Sequence, residues 1–187
     1  MDSLFINLMI ITGLLIAAAY FAMSEIALAG SRKLRLTRLA EKGDKRAKMV
    51  LSLKENPGSF FSVVQIGINA VAILGGIVGE AAFTRLFSDW FQGFVPPDAL
   101  ESVAFSAAFV TVTLLFIIFA DLIPKRVAMT RPESTALGMV RLMQCFIIIF
   151  KPLVWLLTVT SGCIMKLLGI PTTTKEKITN EDIEATV

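Results

Sequence analysis

Three long stretches without a charged residue constrain the fold of this chain more than any other feature. They cover residues 3–24, 57–79 and 102–120. A helix needs roughly 20 apolar residues to cross the hydrocarbon core of a bilayer, so each stretch predicts a transmembrane helix. The chain is 55% hydrophobic and its mean hydropathy is +0.73, which is too apolar for a soluble domain of 187 residues.

A fourth apolar region differs from these three because Lys151 and Pro152 interrupt it. Shorter apolar pieces that are split by a charge and a helix breaker are typical of interfacial or re-entrant helices. The alternative is a fourth true span. We therefore predict an all-α membrane protein with transmembrane helices over about residues 3–29, 57–79 and 101–123, and juxtamembrane helices over residues 134–168.

Basic residues cluster in the segment between the first two spans, where residues 31–56 carry nine of the 18 Lys and Arg. This asymmetry predicts a cytoplasmic segment, an outside N-terminus and an inside C-terminus. Ser31 and Asp44 as caps, with Gly43 between them, predict a pair of short helices over residues 31–55. Asn56 and Pro57 then predict the start of the second span. A basic segment joined to two spans indicates contact with anionic lipid, and no nucleic-acid partner is expected.

Polar side chains within the spans are the candidate functional residues. Ser24 and Glu25 end the first span, Asp121 ends the third, and Gln65 and Asn69 lie four residues apart on one face of the second. Serine and asparagine in spans often serve only helix packing. Membrane carboxylates are rarer and favour a functional interpretation.

The position of Pro124 three residues after Asp121 suggests a cation site. A proline has no N–H, so the carbonyl of Ala120 loses its helical donor. A free carbonyl beside a carboxylate, with a hydroxyl and an amide oxygen from other helices, would form a cation site made only of oxygen, which hard cations such as Mg2+ prefer. The alternative is a simple span end at which Lys125 and Arg126 anchor the interface. The residues alone leave both interpretations open.

Other function classes find little support. The chain has no histidine, no phosphate-binding loop and no nucleophile motif, so we expect no catalytic residues and no enzyme activity. Cys145 and Cys163 lie in apolar sequence and are interpreted as packing residues. Small residues along the second span predict close helix approach there. They are Gly67, Gly75, Gly76 and Gly79.

Three short motifs, SEIAL (24–28), GIN (67–69) and DLIPK (121–125), stand in the order and spacing of a known family. With them, nearly the whole chain resembles the transmembrane domain of the CorC/CNNM family, also called DUF21. The resemblance implies a homodimeric cation transporter with three spans and a juxtamembrane helix on the cytoplasmic side.

The resemblance also implies a set of site residues. Ser24, Asn69 and Asp121 match the side chains that hold a dehydrated Mg2+ in the family, and the Ala120 carbonyl is our own addition. Glu25 is expected to have a helix-end or gating role. Further residues of the same motifs are expected to support the site: Gln65, Gly67, Pro124 and Lys125.

Ala120–Asp121 departs from the glycine–glutamate that is common in the magnesium transporters of the family. Aspartate is one methylene shorter than glutamate, and octahedral Mg2+ tolerates little change in ligand position. The chain is more similar to the polyamine-export branch, which implies export of dications such as putrescine and cadaverine, with Asp121 and Glu25 as acceptors. Efflux of Mg2+ or Co2+ is the alternative, and a cation-sensing module without transport is a second one.

The resemblance further implies that residues 171–187 begin a linker to cytoplasmic CBS domains, so the chain is expected to be part of a longer protein. Nucleotide would bind only to those domains, and no other cofactor is expected. ITNEDIEATV at residues 178–187 predicts the start of a capped helix. The implied location is the inner membrane of a bacterium.

Overall fold

A computed structural model describes residues 2–169, with side chains from Phe5 onward. Every regular element in this range is a helix, so the all-α prediction is confirmed for the described part of the chain. The elements are α1 (Asp2–Gly30), α2 (Lys33–Glu41), α3 (Lys45–Glu55), α4 (Gly58–Phe91), α5 (Pro97–Leu115), a π-helical segment (Phe116–Leu122), α6 (Ile123–Thr130) and α7 (Pro132–Leu167).

Four helical segments within residues 2–169 are long and apolar enough to cross a membrane, and the chain is therefore a multi-pass membrane protein. They are α1, α4, the run Pro97–Thr130 and α7, so the count of three spans is not confirmed. The segments are also longer than predicted. The 34 residues of α4 reach about 51 Å at 1.5 Å per residue, which exceeds the roughly 30 Å hydrocarbon core. Helix α4 is therefore longer than the hydrocarbon core is thick.

Helix α7 differs from the predicted juxtamembrane helices over residues 134–168. It is one helix of 36 residues with Pro152 inside it. A proline removes a single backbone donor, and apolar helices tolerate this because neighbouring groups satisfy the freed carbonyl. The chain divides into two compact units, Met1–Ile149 and Phe150–Val187. In the second unit the described residues are helical to Leu167 and expose most of their side chains.

Glycines set the helix packing in the first unit, where α1 and α5 both pack against α4. A Cβ at Gly67 would lie 2.6 Å from ring carbons of Phe21, so only glycine allows α1 and α4 this close. Gly76 faces open space, and its predicted packing role is not found. Two further close approaches join Gly75 to Phe116 and Gly79 to Val112.

The basic segment folds as the short helices α2 and α3. Gly43 follows α2 with a φ of +92°, a conformation that favours glycine, and thereby ends that helix. Asp44 caps α3 as predicted, because its carboxylate accepts the backbone N–H of Arg46 at 2.9 Å.

Two predicted caps are wrong. Ser31 does not cap α2, whose N-cap position is Arg32. Its hydroxyl donates instead to the Leu28 carbonyl at 2.9 Å, because α1 ends at this point and leaves carbonyls without helical donors. Asn56 is the C-cap of α3, and Pro57 precedes α4 as its N-cap, with the helix starting at Gly58.

Two long-range contacts connect the basic segment to the long helices. The Lys54 ammonium donates to the carbonyls of Leu28 at 2.8 Å and Ser31 at 2.7 Å. These charge-assisted bonds supply donors to the carboxyl end of α1, where a cation is favoured. Buried Glu133 lies 3.5 Å from the guanidinium of Arg35 and joins α2 to the start of α7. The basic segment is therefore tied to two of the long helices.

The predicted linker over residues 171–187 and the capped helix in ITNEDIEATV lie outside the described residues.

Candidate functional site

The end of the third apolar run is not a regular α-helix. Residues Phe116–Leu122 are π-helical, and the N–H of Ile123 donates to the Ile118 carbonyl five residues before it. A single π-helical turn inside an α-helix often marks a functional site. Pro124 cannot donate to the Ala120 carbonyl in the α register, nor to the Phe119 carbonyl in the π register. The local fold thus combines a widened turn with a missing donor beside Asp121.

Three charged side chains meet at this point. The Lys125 ammonium lies 2.6 Å from an Asp121 carboxylate oxygen, one turn earlier on the same segment. It also lies 3.7 Å from a carboxylate oxygen of Glu25 on α1. Helix α6 packs against α1 and buries Pro124, and this contact brings both carboxylates near one ammonium. We call Glu25, Asp121 and Lys125 the charged cluster.

The charged cluster carries one excess negative charge, from two carboxylates and one ammonium. The side chains of Glu25 and Lys125 are each 32% exposed, and that of Asp121 is 52% exposed. The cluster is therefore reachable from outside the helix bundle. In a membrane span such a group is costly unless its charges are paired or used.

Ser24 makes other contacts. Its side chain is buried, and its hydroxyl donates to the Tyr20 carbonyl at 2.8 Å and approaches the Met139 sulfur at 3.4 Å. Tyr20 in turn donates to the Met139 carbonyl at 2.7 Å. The cavity that Ser24 lines has a volume of about 10 Å³, which is at most enough for one water molecule. In this conformation Ser24 has no room for a diamine or a hydrated metal ion.

Asn69 is on an exposed face of α4. Its side-chain oxygen accepts a bond from the Gln65 amide at 3.4 Å, and both residues are exposed. Gly67, two residues from each, packs against Phe21 on α1. Because successive helical residues are rotated by about 100°, Gln65 and Asn69 point away from α1.

The structure therefore brings together only part of the predicted site. Glu25, Asp121 and Lys125 meet, with Ala120 and Pro124 adjacent in the chain. In the described part of the chain no hydrogen bond or ion pair joins Ser24 or Asn69 to Asp121. The ligand set Ser24, Asn69 and Asp121 stays a prediction.

Two features were missed at the level of sequence. The bridging position of Lys125 was signalled by its spacing, since residues four apart lie on one helix face and Asp121 precedes it by four. Tyr20 is the only tyrosine in the chain and lies in a span, where its hydroxyl needs a hydrogen-bond partner. Its partner, the Met139 backbone, could not be identified because any residue has a carbonyl.

Comparison with known proteins gives a consistent result. The sequence model of the family described as CNNM, Cyclin M transmembrane N-terminal domain, matches residues 9–187. The chain is 48% identical over 181 residues to the "Polyamine export protein" of Salmonella typhimurium, covering 97% of this chain and 40% of that protein. It is 44% identical over 184 residues to the protein of the same name in Haemophilus influenzae, covering 98% and 43%.

A more distant relative is the UPF0053 protein YhdT of Bacillus subtilis, which is 30% identical over 167 residues, covering 88% of this chain and 36% of that protein. The chain thus spans about two fifths of the length of the curated relatives that it matches.

Proposed function

The chain belongs to the CNNM transmembrane-domain family, and from this premise we propose that it exports small organic dications, of the putrescine and cadaverine class, out of the bacterial cytoplasm. In this proposal it acts in the inner membrane, with its N-terminus outside and the basic segment and C-terminus in the cytoplasm. The names of the most similar relatives described above support the substrate class.

One structural observation carries the proposal: two carboxylates from two different spans hold a primary ammonium. The Lys125 ammonium is 2.6 Å from Asp121 and 3.7 Å from Glu25. An alkyl ammonium has three donors and no acceptor, and charge-assisted bonds to carboxylates are its strongest interaction. Each end of a protonated diamine is the same chemical group. The charged cluster is therefore suited to a diamine.

The location of the charged cluster gives further support. Carboxylates in membrane spans are rare and usually belong to pathways for ions or substrates. Glu25 and Asp121 lie in segments that cross the membrane by length and composition. The π-helical segment contains Asp121, and its conversion to an α-helix would move this carboxylate relative to α1. Such a movement could alternate access to the bound dication.

Efflux of Mg2+ or Co2+ has no comparable observation in its favour. Within residues 2–169, no three Asp, Glu, Cys or His side chains come together as a metal site. A mixed site of Ser24, Asn69 and Asp121 would need all three oxygens at about 2.0–2.1 Å from one Mg2+. In the structure, Ser24, Asn69 and Asp121 each bond to a different partner. Stabilisation by Mg2+ is therefore measured beside stabilisation by diamines.

We also propose that the protein is a homodimer. Gln65 and Asn69 are exposed on α4, and amide side chains in a span usually bond across a helix interface. Ala72, three residues after Asn69, is also exposed on this side of α4. Disulfide formation by Ala72→Cys, after Cys145 and Cys163 are replaced by alanine, should give a cross-linked dimer in membranes. A monomer under oxidising conditions would contradict this arrangement.

The export proposal is tested by Asp121→Asn, which removes a charge and keeps the size of the side chain. Asp98→Asn, an exposed carboxylate at the start of α5, is the matched control. Putrescine at 100 times its dissociation constant should stabilise the wild type and Asp98→Asn by about 2.7 kcal/mol. It should not stabilise Asp121→Asn, and loaded cells should lose putrescine efflux only with that variant.

Three outcomes would contradict the proposal. Stabilisation by Mg2+ but not by diamines would indicate metal efflux. Diamine binding without efflux from cells or liposomes would indicate a sensing module. Unchanged diamine binding in Asp121→Asn would exclude the charged cluster as the site.

A further inference from the structure

We propose that Lys125 is a tethered competitor for the substrate: its ammonium occupies the charged cluster until a dication displaces it. This proposal rests on the function proposed above and adds a residue that determines affinity and selectivity. This competitor is part of the protein itself, and Lys125 lies one helical turn after Asp121, with which its ammonium is paired.

The contacts of Lys125 agree with this role. Its ammonium lies 2.6 Å from Asp121 and 3.7 Å from Glu25, so it bridges the π-helical segment and α1. Both partners are carboxylates, the same groups that are proposed to hold the substrate. A substrate ammonium that takes the position between the two carboxylates must displace the ammonium of Lys125. Occupation by Lys125 and by substrate are therefore mutually exclusive.

An interface anchor would behave differently. Lysine side chains that anchor a span extend their charged end towards water or lipid headgroups. Lys125 instead turns to the two carboxylates, and its side chain is only 32% exposed. Arg126, the next residue, is exposed. The two neighbouring basic residues thus occupy different environments, which provides a control within the same helix.

Competition of this kind lowers the apparent affinity in a calculable way. The apparent dissociation constant equals the intrinsic one divided by the fraction of sites that are open. If Lys125 occupies the charged cluster nine tenths of the time, the apparent constant is raised about tenfold. Removing the ammonium should therefore tighten diamine binding by about threefold to tenfold at low ionic strength.

Competition also selects for dications. A monoamine that displaces Lys125 only replaces one ammonium by another and gains no charge pairing. A diamine brings two ammonium groups, one for each of the two carboxylates that otherwise share the single ammonium of Lys125. Once Lys125 is neutral, the cluster has two unpaired carboxylates and a monoamine can bind in the vacated place. Selectivity against monoamines should then be lost.

The experiment measures binding of putrescine and ethylamine to the purified chain by calorimetry at fixed ionic strength. Lys125→Gln is compared with Arg126→Gln, which removes the same charge one residue away. We expect Lys125→Gln to bind putrescine about threefold to tenfold more tightly than the wild type and to bind ethylamine, which the wild type does not. Arg126→Gln should behave as the wild type does. If Lys125→Gln does not fold, Lys125→Met, which retains the length of the apolar stem, replaces it.

Unchanged or weaker putrescine binding in the Lys125 variants, or absence of ethylamine binding, would overturn the proposal. The same tightening in Arg126→Gln would also overturn it, because the effect would then come from general charge. Asp121→Asn separates the two proposals. If it still binds putrescine, the proposed function fails. If it does not bind while Lys125→Gln shows no tightening, only the competitor role fails.

Discussion

Gly67 is the position at which a single added methyl group should separate α1 from α4. A Cβ there would lie 2.6–2.7 Å from three carbons of the Phe21 ring, well inside van der Waals contact. Gly76, on the same helix, has no atom within 4 Å of an added Cβ. Gly67→Ala and Gly76→Ala therefore change helix propensity equally and differ only in packing.

The expected difference between the two variants follows from that comparison. Overpacking a well-packed interface costs about 1–3 kcal/mol, and the gain in helix propensity cancels between the variants. A change of 1 kcal/mol shifts the melting temperature of a chain of this size by about 2–4 °C. Gly67→Ala should therefore melt about 2–12 °C below Gly76→Ala in the same detergent.

A second variant tests the cause. The clashing atoms are at the far end of the Phe21 ring, and leucine lacks them. Adding Phe21→Leu to Gly67→Ala should recover part of the lost stability, although Phe21→Leu alone destabilises by leaving a cavity. A melting temperature of Gly67→Ala at or above that of Gly76→Ala would refute the packing argument. Additive effects in the double variant would refute the role of the ring.

Three further predictions concern the basic segment. Lys54→Met should destabilise by about 1–3 kcal/mol, because the carbonyls of Leu28 and Ser31 lose an ammonium donor, whereas the exposed Lys48→Met should not; chemical denaturation checks both. Leu36→Ala should cost about 2–5 kcal/mol, since this side chain is fully buried, and equal melting with the wild type would contradict its burial. The hydrogen bond from the Arg46 side chain lowers the pKa of Asp44 below 3.8, so the stability contributed by Asp44 is present above pH 3.8 and is lost as pH falls through the lowered pKa. Asp44→Asn should lack this acid-dependent loss, and identical pH profiles would contradict it.

The parts of the fold that follow from composition were predictable. Uncharged runs near residues 3–24, 57–79 and 102–120 identify long helices because backbone groups in lipid must be satisfied within the helix. Helix α7 was not predicted as one element. Lys151 and Pro152 are strong local signals for a break, but the flanking apolar turns retain enough hydrogen bonds to continue the helix.

The candidate site was likewise predictable only in part. Asp121 and Pro124 were identified from chemistry that is unusual in a span, and both lie at the irregular turn. The π-helical register was not predictable, because π-helices are rare and occur mostly as single turns inside α-helices. The exposed position of Gln65 and Asn69 was also hidden, since the rotation of α4 is fixed by Gly67 against Phe21.

The central claim is that the Asp121 carboxylate binds the ammonium group of the exported dication. Infrared difference spectroscopy with 13C-labelled aspartate measures this contact directly, because a carboxylate stretching band shifts when its partner changes. We predict an aspartate band that shifts when putrescine is added to the wild type and that is missing in Asp121→Asn. The same shift in Asp121→Asn, or putrescine binding to the wild type without any aspartate shift, would contradict the account.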